Sequence, residues 1–491
     1  MRNPFKRSSI VYFALSALFA PSQSFAAEGI ELIGYGARQK ALAGADIADS
    51  RDAMSMAVNP AGILGLGSEL QAGVTLLLPD RGYDAISYDP IHHPLVVLAP
   101  GHVASGQPGF PVPNGGYFRQ IDADSAWGVV LYGNGGINTT YGWNSYKPPI
   151  YAPALSVPSP FGTLVAPGPV VSPSWGGPFG GGAAGIDLRQ SFFSLDYARR
   201  FGPVTIGVAP TIAVQMLNIQ GLKTLSVYSS DPSHFTDDAY DWSFGGGVRV
   251  GLEYEAFPGL RLGLSGATPM FSTRFGKYGG AIANHGELDV PAHINAGLAY
   301  DPLPDLTLMG GWKHIFYHAV HAYGAPSFPI TYGSLGSGGG PGFGWRDTDM
   351  ASFGLEWRAF KPVTLRLGYA YSTPMIGGQD VTLNVLAPAI SRHHISGGFK
   401  YEMDKNQSFD FATVYAFKQT LSGQENEPFA SFAYHIPAVL PYFGGATVPV
   451  GVAPNYNPYS KITAYLSGIE FSLSYTYKFD AAAPAPIAAK F

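Results

Sequence analysis

The sequence predicts an all-β protein, a 14-stranded antiparallel transmembrane β-barrel plugged by an N-terminal hatch with short helices. Three observations lead to this fold class: the composition, a long-running alternation of apolar and polar residues, and a strict alternation of short and long connections. Of the 491 residues, 14% are aromatic and only 13% are charged, whereas soluble proteins have about 25% charged residues. No segment after the leader reaches the ~18 unbroken apolar residues of a membrane helix, so strands are expected to cross the membrane.

The N-terminus resembles a secretory signal peptide covering residues 1–26. Arg2, Lys6 and Arg7 form its positive end, residues 10–20 form a short apolar core, and Ser24-Phe25-Ala26 offers small residues for cleavage. We therefore expect a mature start at Ala27. Export of this kind fits a location in the outer membrane of a Gram-negative bacterium.

Period-two alternation dominates from residue 69 onward. In the closing strand, Ile469, Phe471 and Leu473 alternate with polar residues such as Glu470 and Ser472, which puts one row on each face of a strand. A soluble sandwich would alternate in the same way. Aromatic residues at the ends of the apolar rows favour a membrane barrel, because they are typical of the membrane interface.

Connections between the strands divide into six short turns and seven long loops, which gives fourteen strands. The short turns contain Pro, Gly, Asp or Asn, and they are Asp122–Ser125, 201–203, Ala256–Gly259, Asp301–Asp305, Ala359–Pro362 and Met403–Asn406. The long loops cover roughly residues 80–112, 142–185, 222–242, 275–290, 319–345, 375–391 and 420–461. Short periplasmic turns opposite long outer loops are typical of outer-membrane barrels. The predicted domains are thus a hatch at 27–66, a barrel at 67–479 and a periplasmic tail at 480–491.

The hatch segment is rich in Gly and Ala, is helix-compatible over 41–56, and ends in Asn59-Pro60-Ala61-Gly62. Residues 52–62 (DAMSMAVNPAG) resemble the hatch signature of the FadL/TodX family of outer-membrane transporters. Residues 345–375, residues 260–270 and the final YTYKF are similar to further segments of that family.

The resemblance implies a monomeric, passive transporter of hydrophobic molecules, most often long-chain fatty acids. Its hydrophobic ligand would be caught by outer loops and released sideways into outer-membrane lipid when the hatch moves. The aromatic closing strand would be read by the barrel-assembly machinery. Aromatic hydrocarbons as ligands, a general porin and an outer-membrane lipid hydrolase are the alternatives.

Two segments are candidate moving parts. Asn59, Pro60, Ala61 and Gly62 are the candidate gate contact, although an Asn-Pro turn that simply ends a helix would have the same sequence. Gly133, Asn134, Gly135 and Gly136 interrupt the third strand, which the family kinks to make a side opening. A plain bulge near a rim would also place Gly there.

Two further groups could contact a ligand. Loop 142–185 carries apolar residues that could form a capture surface, or could simply pack on other loops: Tyr146, Tyr151, Phe161, Leu164, Trp175 and Phe179. Inward-facing cations could meet a ligand carboxylate, but pairing with lumen carboxylates is the favoured interpretation: Arg249, Arg261, Lys313, Arg358, Arg366 and Lys400.

Several functions find no support in the sequence. The net charge of −5 does not favour nucleic-acid binding, and the absence of Cys removes thiol chemistry and cysteine metal sites. The histidines lack a carboxylate cluster at ligand spacing, and no Gly-x-Ser-x-Gly motif indicates a hydrolase. We expect a non-enzyme without metal or cofactor.

Overall fold

A computed structural model describes residues 29–86, 98–107, 109–142, 150–151, 155–159, 162–166, 170–171, 177–179, 181–426 and 460–479. The predicted signal peptide, the mature start at Ala27 and the C-terminal tail lie outside these residues.

Fourteen long antiparallel strands form the wall of the molecule. They are β1 (Ser68–Ile86), β2 (Phe110–Gln120), β3 (Ser125–Tyr141), β4 (Ala184–Phe201), β5 (Val204–Gln220), β6 (Asp241–Phe257), β7 (Leu260–Ala267), β8 (His293–Leu303), β9 (Leu306–Ile315), β10 (Thr348–Phe360), β11 (Val363–Ser372), β12 (His393–Glu402), β13 (Gln407–Gly423) and β14 (Lys461–Lys478). Each strand pairs with the next along the chain, and β1 pairs with β14 from Glu69↔Lys478 to Ile86↔Lys461. The sheet is therefore a closed barrel, and the predicted fold class is confirmed.

The outer surface of the barrel is apolar and bounded by aromatic residues. Outward Leu70, Val74 and Leu76 of β1 are more than 40% exposed, whereas Gln71 and Thr75 between them are buried. One set of exposed aromatic residues lies near the short turns: Trp127, Tyr197, Phe201, Phe257, Tyr300, Trp357, Phe360, Tyr401, Phe409, Tyr477 and Phe479. A second set lies near the long loops: Trp242, Phe244, Phe271, Trp312, Tyr369, Tyr371, Tyr415 and Phe417. An apolar band between two aromatic girdles is the surface that a membrane-spanning barrel requires.

The observed turns lie where the sequence predicts them, and one loop is shorter than predicted. The interval 80–112 was expected to be a loop, but β1 continues to Ile86 because β14 pairs with it along its whole length. The short strand Gly101–Ala104 pairs with residues 82–85 of β1, and the short strand Phe271–Ser272 pairs with β6. Two short hairpins, Ile150–Tyr151 with Val170–Val171 and Leu155–Ser159 with Gly162–Ala166, form in the second long connection.

Four of the long loops carry short helices and pack together as a lid over the barrel. The helices are Lys223–Tyr228, Pro232–His234, Gly276–Tyr278, Ala283–Gly286, Tyr317–Ala319, His321–Gly324, Gly378–Asp380 and Val381–Asn384. In this lid, the indole of Trp345 donates to Oδ1 of Asn384 over 2.7 Å. Among the described residues, no helix combines the length and the apolar character needed to cross a membrane.

Residues 29–67 lie inside the barrel and are called the plug here. The plug contains one α-helix, α1 (Ala37–Ala41), and three 3-10 helices, Asp46–Ala48, Ala53–Ala57 and Pro60–Ile63. Side chains cap the N-termini of two of these helices, since Asp52 accepts from the amide of Ser55 and Asn59 accepts from that of Ala61. Residues 41–56, which the sequence indicates to be compatible with one or two short helices, contain Asp46–Ala48 and most of Ala53–Ala57.

The plug rests on glycines of the wall. Ten strands each contribute one glycine at which a Cβ would touch the plug: Gly116, Gly128, Gly207, Gly251, Gly263, Gly297, Gly311, Gly354, Gly368 and Gly398. An added Cβ at Gly207 would lie only 2.3 Å from the nitrogen of Ala61. Glycine within a strand allows another backbone to approach closely, and here it makes room for the plug.

Candidate functional site at the plug and the third strand

A buried ionic cluster holds the plug to the wall near the short turns. Arg38 of α1, only 1% exposed, donates to Asp46 and Asp49 of the plug over 3.2 and 2.6 Å. The same guanidinium donates to Glu356 of β10 over 3.0 Å, and Glu356 also accepts from Arg366 of β11 over 2.8 Å. Removing one member of a buried ion pair costs about 3–5 kcal/mol, so the cluster anchors the plug firmly.

A second ionic contact lies nearer the long loops. Glu31, fully buried, is 2.8 Å from Nζ of Lys313 and 3.1 Å from Nδ1 of His293. Burial alone raises the pKa of Glu31, but the opposing charges of Lys313 and His293 outweigh it and lower the pKa to about 2. Glu31 is therefore ionised at neutral pH and binds the start of the plug to β8 and β9.

The predicted inward cations all lie within 4.0 Å of a carboxylate, which agrees with the ion-pair interpretation. Their partners are Asp196 for Arg249, Asp49 and Asp301 for Arg261, Glu31 for Lys313, Glu356 for Arg358, Glu356 and Asp410 for Arg366, and Glu402 for Lys400. The sequence predicted pairing with lumen carboxylates but did not identify the partners in the plug, Glu31 and Asp49. The sequence signal for these partners was the presence of charged residues in the otherwise Gly/Ala-rich hatch segment.

Asn59 connects the plug to the wall through its own side chain. It is fully buried, its Oδ1 accepts from the amide of Ala61 over 3.1 Å, and its Nδ2 donates to the carbonyl oxygens of Ile47 and Leu252 over 3.0 and 3.2 Å. Leu252 belongs to β6, so one side chain caps a helix and also binds the barrel. Pro60, Ala61 and Gly62 form the helix that follows and pack against β5 and β6.

The glycine-rich interval of β3 contains a bulge at which Asn134 is the extra residue. The pairing with β4 shifts by one between Gly133 and Gly135. A Cβ added at Gly136 would lie 2.0 Å from the carbonyl oxygen of Leu188, and the φ of Gly136 is +152°, a backbone conformation that suits glycine. This backbone therefore depends on glycine at position 136.

The bulged Asn134 is also a contact between the third strand and the plug. Its carbonyl oxygen accepts from the amide of Leu32 over 2.9 Å, and its Oδ1 accepts from the hydroxyl of Tyr35 over 3.2 Å. Its Nδ2 donates to Oε1 of Gln190 on β4 over 3.0 Å. The sequence predicted the kink and the plug as separate features, but the structure joins them at Asn134.

The wall has a gap beside the bulge. β3 pairs with β2 only as far as Asn114↔Tyr132, and residues 133–139 have no β2 partner among the described part of that strand. Pro111 and Pro113 lie at the end of β2, where pairing with β1 continues. Proline has no N–H, so the N–H groups that bind β1 must belong to the residues that alternate with the two prolines. The two positions without an N–H donor therefore lie on the edge of β2 that faces β3. The edge of β2 is thus unable to complete a normal ladder with β3.

Apolar side chains fill the interior behind the gap. Phe110 and Val112 of β2 and Ile137 of β3 belong to one buried cluster with Leu32 of the plug. The same cluster reaches the lid through Val385 and Leu386. The carbonyl oxygens of these two residues accept from Tyr141 and Thr139 of β3 over 2.5 and 2.8 Å. An apolar region therefore extends from the lid to the gap.

The predicted capture loop is described only in part. Tyr146, Phe161 and Trp175 lie outside the described residues, and Tyr151 and Leu164 lie in short strands of which only the backbone is described. Phe179 is completely buried rather than exposed, because the lid packs over it. Its carbonyl oxygen accepts from Oγ1 of Thr224 over 2.5 Å, which connects loop 142–185 with loop 222–242.

The fold is similar to that of several solved structures, which include transporters of toluene. No protein-family profile and no curated protein sequence matches the chain. The P. putida toluene transporter TodX is 16% identical with a TM-score of 0.57, over 91% of this chain and 99% of TodX. A Pseudomonas aeruginosa FadL homologue is 13% identical with a TM-score of 0.60, over 92% of this chain and all of the homologue. The Ralstonia pickettii toluene transporter TbuX is 15% identical with a TM-score of 0.56, over 91% and 99% of the two chains. At these identities the likeness establishes a common fold.

Proposed function

We propose that the protein carries hydrophobic molecules passively across the bacterial outer membrane, as a monomer gated by its plug, and releases them sideways into the membrane. Long-chain fatty acids are the leading ligands, and aromatic hydrocarbons are the alternative. The observation that carries the proposal is the apolar region that leads from the lid to a gap in the wall at the bulge of β3.

Energetics support a sideways route. A fatty chain loses about 0.8 kcal/mol for each CH₂ that moves from an apolar environment into water. A vertical route would also pass the buried ionic cluster around Arg38 and Glu356, where an apolar ligand would separate charges from their partners. A route through the gap leads from apolar side chains to lipid tails and avoids both costs.

Similar folds support the class of ligand but do not distinguish its two members. The similar structures include two toluene transporters and a FadL homologue, with TM-scores between 0.56 and 0.60. The choice between fatty acids and aromatic hydrocarbons is therefore left to experiment.

The test is uptake by a bacterial strain whose own transporter is deleted and which expresses this chain. We expect restored uptake of radiolabelled oleate, and restored uptake of toluene alone would support the alternative ligand. Uptake of neither compound by cells with folded protein in the outer membrane would refute the proposal. Planar-bilayer recordings distinguish the proposed transporter from a general porin. A plugged barrel should give little ion current, whereas large steady currents would favour a porin.

A further inference from the structure

An arginine that has no part in the proposed function so far lies beside the gap between β2 and β3. Arg81 belongs to β1, points inward and is only 1% exposed. Its Nε donates to the carbonyl oxygen of Asn138 on β3 over 2.6 Å, and its Nη2 donates to Oδ1 of the same residue over 2.5 Å. β1 and β3 are not neighbours in the sheet, because β2 lies between them lower in the wall.

The guanidinium of Arg81 lies at the height in the wall where β2 starts. β2 begins at Phe110, and the guanidinium stacks over the ring of Phe110 at 5.4 Å from its centre. On the far side, residue 106 donates to the carbonyl oxygen of Thr140 over 2.7 Å. The gap is thus bounded by β2 below and this contact above, and Arg81 crosses it between them.

Arginine suits this position for a geometric reason. The planar guanidinium presents several N–H donors in a rigid fork, so it can bind the backbone and the side chain of Asn138 together. A lysine ammonium has the same charge but not the fork, and it would hold the two strands less firmly.

We propose that Arg81, by joining β1 to β3, closes the gap between β2 and β3, and that its bonds to Asn138 break when a ligand passes through the wall. The second half of this inference rests on the proposed function. The closing contact itself can be tested in the purified protein without any ligand.

The test uses the absence of cysteine from the chain. Val112→Cys places the only thiol on the inner face of β2 beside the gap, where the side chain is 2% exposed. The full chain in phospholipid vesicles is treated with pyrene maleimide, which dissolves in the bilayer, and the labelling rate is measured. We expect Arg81→Ala to increase this rate at least fivefold, Asn138→Ala to increase it about twofold, and Arg81→Lys to give an intermediate value, because labelling requires an open gap.

The matched control is Val130→Cys in the same backgrounds. Val130 is also inward and 1% exposed, but it lies where β3 pairs with both of its neighbours. Unchanged labelling at position 112 would overturn the proposal, and so would an equal increase at both positions, because that would indicate general loosening. Heat-modifiable mobility on gels confirms that each barrel is folded, and Asn138→Ala decides the matter if Arg81→Ala does not fold.

The two proposals can fail separately. Fast labelling in Arg81→Ala together with no uptake of oleate or toluene by the unaltered chain would refute the transport function and leave the closing contact standing. Restored uptake together with unchanged labelling would refute only the role of Arg81.

Discussion

The side-chain amide of Asn59 forms hydrogen bonds through both its oxygen and its nitrogen, so replacing Asn59 should break two kinds of contact. The oxygen caps the last plug helix, while the nitrogen donates to the plug at Ile47 and to the wall at Leu252. Losing an N-cap costs about 1 kcal/mol, and leaving a buried carbonyl without its donor costs about 1–3 kcal/mol. The same residue therefore shapes the plug and attaches it.

We predict that Asn59→Ala weakens the seating of the plug by about 2–4 kcal/mol, from the lost cap and the unpaired carbonyl oxygens. Hydrogen exchange of plug amides measures this loss, because local opening becomes more frequent as local stability falls. Amides of residues 46–64 should exchange about 30-fold faster or more, since 1.4 kcal/mol corresponds to a factor of about ten.

The control for this prediction is an asparagine in the lid. Oδ1 of Asn284 accepts from the amide of Gly339, so Asn284→Ala should leave exchange in the plug unchanged. Equal protection of the plug in Asn59→Ala and in the unaltered chain would show that Asn59 is only a turn residue.

At the scale of elements, β3 differs from the other strands because three of its features coincide. It has a bulge at Asn134, an unpaired edge beside β2, and contacts to both the plug and the lid. A bulge alone could sit at any rim of a barrel. Its combination with the plug contact favours a moving part.

We predict that replacing Gly135 and Gly136 together with valine reduces uptake at least tenfold while the barrel still folds. A Cβ at Gly136 would collide with the carbonyl oxygen of Leu188 at 2.0 Å, so β3 must straighten or shift, and the gap beside it must change. Uptake of radiolabelled oleate and of toluene is measured in cells and normalised to the amount of folded barrel.

Gly142→Val provides the matched control, because Gly142 follows the same strand and a Cβ there would meet no atom within 4 Å. This variant should transport normally. Normal uptake by the double variant as well would mean that the bulge is only a feature of the wall.

The elements were predictable to different degrees. Alternation such as Leu70-Gln71-Ala72 gave the strands, and Pro- or Gly-containing turns gave their number, because both signals are local. The end of β1 was not predictable, since residues such as Asp80 and Gly82 suit a turn until a partner strand pairs with them. The glycines under the plug were visible in the sequence, but a glycine in a strand does not reveal which backbone approaches it.

The site was predictable only where a contact is encoded in one segment. Asn59-Pro60 suggested a turn at the end of a helix, and Gly135-Gly136 suggested a bulge, because each acts on its own neighbourhood. The pairing of Arg38 with Glu356 and of Arg81 with Asn138 joins residues far apart in the chain. Such contacts depend on strand order and register, which alternation alone does not fix.

At the scale of the molecule, the interior has an ionic zone near the short turns and an apolar zone toward the lid. The ionic zone attaches the plug to several strands at once, and the apolar zone continues to the gap. Leu32 and Tyr35 bind Asn134 beside the gap, so under the proposed function a ligand that passes through the gap displaces the start of the plug. The question is how far along the plug this displacement extends.

A disulfide between the plug and the wall can answer that question. The Cβ of Ala45 lies 3.2 Å from the position of a Cβ added at Gly354 of β10, slightly less than the usual disulfide separation of about 3.5–4.5 Å. We predict that Ala45→Cys with Gly354→Cys forms a cross-link after oxidation and lowers uptake at least tenfold. The reason is that the ionic half of the plug, the part held by the buried cluster around Arg38, can then no longer move away from the wall. Reduction of the disulfide should restore uptake.

A second disulfide that connects two wall strands controls for the cross-link itself. Ala351 and Tyr371 are directly opposed in β10 and β11, so Ala351→Cys with Tyr371→Cys should transport normally in both redox states. If the plug cross-link is complete and uptake is nevertheless normal, the ionic half of the plug stays in place during transport. Movement would then be confined to the segment before α1, where Leu32 and Tyr35 contact the bulge, and the ionic cluster would serve as the fixed base against which that segment moves.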